Sequence, residues 1–76
     1  MNYRLYGMGI HGWEYITMEN NLESLYDTIY TITYDEYQRL MIIEHNILLN
    51  QDNVIMVSEV EQNPQRRRRW VNINME

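Results

Sequence analysis

The sequence predicts an α+β domain: a small antiparallel sheet of four or five strands with one helix packed on one face, in the order ββαββ with an extra C-terminal strand. Three observations carry this. Alternating apolar residues flank a glycine cluster near the N-terminus, one stretch has a helical period, and a β-branched run follows in the second half. At 76 residues the chain forms a single domain, residues 1–76, with a thin core for its surface.

Tyr3 to Met8 alternates around Leu5, and Trp13 to Met18 resumes the pattern after Gly7, Gly9, His11 and Gly12, so the first element is a hairpin of two strands. Asn20 stands three residues before Glu23, an Asn variant of the capping box, and Leu22, Leu25, Tyr26, Ile29 and Tyr30 then follow a helical period. This stripe places Tyr26 and Tyr30 in the core. The β-branched Thr31, Ile32 and Thr33 weaken the helix. Thr33 and Glu36 repeat the capping spacing, which allows a further helical turn over residues 34–39.

Leu40 to Ile43 reads as an interior strand apolar on both faces, with a continuation of the helix as its rival. Asn50 to Asn53 has turn chemistry, and Val54 to Glu61 is the clearest strand in the chain. Asn63, Pro64 and Gln65 turn the chain back. Arg67, Arg69, Val71, Ile73 and Met75 would then share one face of a last strand.

Eleven acids against six arginines give a formal charge of −5, which argues against a protein that coats nucleic acid. The distribution is uneven: ten of the acids but only Arg4 and Arg39 fall in residues 1–65, whereas Arg66, Arg67, Arg68 and Arg69 stand together before Trp70. Guanidinium groups bind phosphate and an indole stacks on a base, so these five residues form a candidate phosphate site. Strand alternation offers a structural role instead, in which the arginines split across the sheet and one pair meets Glu59 and Glu61.

The acids Glu14, Glu19, Glu23, Asp27, Asp35, Glu36 and Glu44 can line a negative surface that copies the charge spacing of a nucleic-acid backbone. Within it Glu23, Asp27, Tyr34, Asp35, Glu36 and Tyr37 are the candidate partner-binding residues, Tyr34 and Tyr37 as exposed aromatic contacts. Catalysis has little foundation. His11 and His45 sit in no metal-ligand pattern, there is no cysteine, and no cofactor motif occurs, so an enzyme, a metal site and a bound cofactor are not expected. No signal or membrane-spanning segment is expected either, and a host cytoplasm is the anticipated location.

In length, acidity, absence of cysteine and abundance of Tyr and Asn, the chain resembles the small accessory proteins of bacterial viruses. That resemblance implies a stoichiometric inhibitor, such as an anti-CRISPR or DNA-mimic protein, that binds a host nucleic-acid enzyme or defence component. Two alternatives use the arginines: an oligomer that sequesters a nucleotide-type signal, and a small nucleic-acid-binding regulator. The small core further predicts a homodimer or larger assembly, joined through the second sheet face or an edge strand.

Overall fold

A computed structural model describes residues 1–32, 36–60 and 68–72, with residues 59, 60 and 68–72 followed through their backbone. Its elements are β1 (Asn2–Gly9), β2 (Gly12–Glu19), α1 (Leu22–Thr31), β3 (Leu40–Asn46), β4 (Gln51–Val60) and β5 (Arg68–Asn72). Every neighbouring pair is antiparallel, and the strands lie in the order β2-β1-β3-β4-β5. The expected α+β architecture with a single covering helix is therefore the observed one.

The first hairpin turns through Ile10 and His11, with Gly9 opposite Gly12. Gly12 has φ +115°, a conformation that costs glycine little and other residues much. α1 starts one residue later than the capping box predicted. Asn21, not Asn20, is the N-cap, and its Oδ1 accepts a 2.8 Å hydrogen bond from the Ser24 amide. The helix ends at Thr31, where the β-branched run begins, and Ile32 donates its amide to the Ile29 carbonyl at 3.0 Å.

No helix occurs in residues 36–39, and Thr33, Tyr34 and Asp35 lie outside the described residues. Residues 40–43 belong to a strand, which overturns the continued-helix alternative. β3 is the central strand, but only Leu40 and Ile42 are fully buried; Met41 and Ile43 on the other face are half-buried, because α1 covers one side. The β3–β4 turn is also displaced from its predicted place. Asn46 pairs with Gln51, so the turn is Ile47 to Asn50, and Gln51, Asp52 and Asn53 are strand residues. Asn50 holds φ +49°, a left-handed position that asparagine tolerates.

Leu5, Leu25, Leu40 and Ile42 have no exposed surface and form the core between sheet and helix. Two bulges enlarge it. The register shifts at Leu5/Tyr6 and at Ile42/Ile43 leave Ile16 and Ile55 as extra residues on the facing strands, and both pack against the core. Tyr26 also packs there, but Tyr30 is 89% exposed, contrary to its predicted core place. At about 100° per residue, Tyr30 stands roughly 105° from the centre of the Leu22–Leu25–Ile29 stripe. Of the predicted last strand, Arg69 and Val71 lie in β5, opposite Glu59 and Val57, while Arg67, Ile73, Met75 and the Asn63–Gln65 turn fall outside the described residues.

Candidate functional site

The sheet sorts its side chains into two unlike faces. On the helix side, Leu22, Leu25, Tyr26 and Ile29 take the inner stripe of α1, which turns Glu23 and Asp27 outward to solvent. Glu19 and Glu44 are the register neighbours of Tyr3, a core-facing residue, so both lie on this same side of the sheet. Glu14 joins them opposite Gly7. Glu19, Glu23, Asp27 and Glu44 make no ion pair among the described residues, whose one carboxylate–imidazole contact joins Asp52 to His45 on the opposite face.

Of the six predicted partner-binding residues, Glu23, Asp27 and Glu36 are exposed as expected, and Tyr34 and Asp35 lie outside the described residues. Tyr37 differs from its expectation as a free aromatic contact. Its ring packs over Gly7, where an added Cβ would come within 2.5 Å of Cγ, and its hydroxyl donates to Glu14 Oε2 at 3.0 Å. That hydrogen bond, with partial desolvation and the charges of Glu14 and Glu36, raises the Tyr37 pKa above the ordinary tyrosine value of 10.0. Glu14 in turn lies over Gly9. A tyrosine and a carboxylate thus fill the space left by two glycines, a positioning contact between residues 30 apart in the chain (Gly7 to Tyr37) that local spacing does not reveal.

The helix-free face carries different chemistry. Across the strands run Met18, Arg4, Ile43 and Val54, then Tyr15, Tyr6, Met41 and Val57, then Trp13 and Met8 beside Arg39. Tyr6 and Tyr15 meet edge to face, with centroids 5.7 Å apart and planes at 73°. Arg39 lies over the Trp13 ring, 5.5 Å from its centroid, and donates from Nε to the Ser58 carbonyl at 3.4 Å. His45 Nδ1 and Asp52 Oδ1, 2.5 Å apart, close one end. In the sequence Arg39 stands out only as a charge. The signal was present in the Arg4-Tyr6-Met8 alternation and in the apolar run Leu40 to Ile43, which gives the central strand two faces to cover.

The four arginines are placed only in part. Arg68, Arg69 and Trp70 lie on β5 opposite Val60, Glu59 and Ser58, whereas Arg66 and Arg67 fall outside the described residues. The backbone register sets Arg69 opposite Glu59, one of the two acids named for the structural role of the run. A groove of about 550 Å³ between α1 and β4 is lined by Tyr26, Ile29, Tyr30 and Met56, with no charged group among the described side chains that line it. No cluster able to hold a metal ion occurs among the described residues, and no described helix is long and apolar enough to cross a membrane. The β3–β4 turn adds a feature that composition concealed: Ile47, Leu48 and Leu49 are all exposed, Leu48 by 95%. No protein-family model, curated protein or solved structure matches the chain.

Proposed function

We propose that this protein is a stoichiometric binding protein rather than an enzyme, and that its helix layer occupies a basic surface on a host nucleic-acid enzyme or defence component. It would act in the cytoplasm of a bacterial host, as a small accessory protein of a virus. The observation that carries this reading is the sorting of charge. Glu14, Glu19, Glu23, Asp27 and Glu44 share the helix side, and the last four of these have no cation to neutralise them among the described residues. Carboxylates left in this state repel one another weakly and attract a cationic groove, steering association and fixing orientation. Glu23 and Asp27, one helical turn apart and both exposed, stand at the centre of the layer.

The test is capture of the partner from bacterial lysate on tagged protein, followed by titration of that partner's own reaction. Inhibition that saturates at one chain per site and weakens at least about tenfold in the double variant Glu23→Lys, Asp27→Lys supports the reading. Undiminished inhibition by a folded double variant overturns it.

A second reading, sequestration of a nucleotide-type ligand, draws on the Arg39–Trp13 contact and on the arginines of β5. Native mass spectrometry of the purified protein decides that one. A retained nucleotide mass that disappears in Arg67→Ala, Arg69→Ala supports it, and a bare protein mass at every preparation removes it.

A further inference from the structure

We infer that the helix-free face of the sheet is covered by a second copy of this chain, the two sheets packing face to face. The composition of the face is the first reason. Tyr6, Met8, Trp13, Tyr15, Met41 and Ile43 are large and apolar or aromatic, and among the described residues no helix or strand packs over them; the Arg39 guanidinium alone lies on one of them, Trp13. A sheet with one solvated face normally alternates apolar inside with polar outside, and β3 does not: Met41 and Ile43 face away from the helix just as Leu40 and Ile42 face toward it.

Charge is the second reason. Two chains of −5 repel, yet Glu14, Glu19, Glu23, Asp27 and Glu44 lie on the helix side, and among the side chains described the free face holds Arg4, Arg39, His45 and one acid, Asp52, already in contact with His45. Pairing through this face therefore keeps the acidic layers on the two outer surfaces of the dimer, as far apart as the fold allows. Arg4 makes no hydrogen bond or ion pair among the described residues and is available to an acceptor on the opposing copy.

Area is the third. Five strands at about 4.8 Å spacing, each contributing about six residues at about 3.3 Å, present roughly 500 Å² in projection, and side-chain relief raises the accessible area toward the ~800 Å² per partner of a standard interface. The face is thus large enough for a specific dimer of modest affinity.

A single-stranded nucleic acid is the competing occupant of an aromatic, arginine-bearing sheet, and the geometry disfavours it. Arg39 already covers Trp13, and Tyr6 and Tyr15 stand at 73° to each other, so no parallel platform is left for successive bases. The β3–β4 half of the face offers Met41, Ile43, Val54 and Val57, aliphatic surface that a sugar–phosphate chain does not bury.

Sedimentation equilibrium of the full chain at tens of micromolar tests the proposal, with Tyr15→Glu and Met18→Glu as face variants and Tyr30→Glu as the control. Tyr15 and Met18 are 58% and 44% exposed in the single chain, so their replacement spares its fold, which circular dichroism verifies. The wild type and Tyr30→Glu are expected at twice the 9.4 kDa chain mass, and each face variant at least about tenfold weaker in self-association. A monomeric wild type overturns the proposal, as does a dimer indifferent to both face variants. A monomer that binds fluorescent oligothymidine through Tyr15 also overturns it and assigns the face to nucleic acid.

Discussion

Gly7 shows how one missing side chain is used by another. Its helix-side space is taken by the Tyr37 ring, and the three nearest ring atoms lie closer to a built Cβ than real contacts permit. Gly7→Ala must therefore push the ring aside, at a cost of about 1–3 kcal/mol and roughly 4–8 °C of thermal midpoint per kcal/mol, readable by circular dichroism. In the Tyr37→Ala background the same change should cost far less, since the clash is gone. The Tyr37 hydroxyl makes a separate prediction. Its pKa is raised in the fold, above 10.0, because it donates to Glu14 and sits near the charges of Glu14 and Glu36. The fold then holds this proton more tightly than the unfolded chain does. Its contribution is complete below the ordinary tyrosine value and is lost as pH rises through the raised one. Denaturation midpoints measured across that alkaline range should fall more steeply for the wild type than for Tyr37→Phe.

At the scale of elements, the termini of α1 and β3 rest on single polar side chains. Asn21 satisfies the Ser24 amide, so Asn21→Ala should destabilise by about 1 kcal/mol and Asn20→Ala should be nearly neutral in urea unfolding. Fully buried Ser58 accepts the Leu40 amide through Oγ at 2.6 Å, at the first residue of β3. Ser58→Ala leaves that buried amide without its partner and should cost about 1–3 kcal/mol by the same measurement, whereas Ser58→Thr keeps an acceptor there. The elements themselves were largely legible, because periods of two and 3.6 are written into consecutive residues: the first hairpin, α1 and the 54–60 strand all read directly. The errors lie where two local signals compete. Asn20 and Asn21 are both capping residues, and Glu23 favoured the wrong one. The polar Asn50–Asn53 stretch outranked Ile47–Leu49 as a turn, although antiparallel register from Asn46 to Gln51 placed the bend in the aliphatic residues.

Across the whole molecule, four core side chains are fully buried among the described residues, and a second apolar sheet face stands beside them. If that face is completed by a second copy, stability depends on concentration by mass action. The thermal midpoint of the wild type should then rise with protein concentration, while that of Tyr15→Glu stays flat, as differential scanning calorimetry would show. The candidate site was less legible than the fold. Acidity and tyrosine content are visible in composition, but the division of charge between two faces depends on which strand lies beside which. Neither the β1–β3 pairing nor the Tyr37–Glu14 contact has a local signature.

The position of β3 also bears on how the chain is made. The sheet is laid out with β3 at its centre, yet β3 is third in sequence, and Leu5 and Leu25 complete their packing only against Leu40 and Ile42. A ribosome releases β1, β2 and α1 first, with the apolar stripe of the helix and one edge of β1 waiting for their partner. The nascent chain passes through an interval in which its first half is made and its core is not, the stage at which exposed stripes and unpaired edges recruit chaperones or one another.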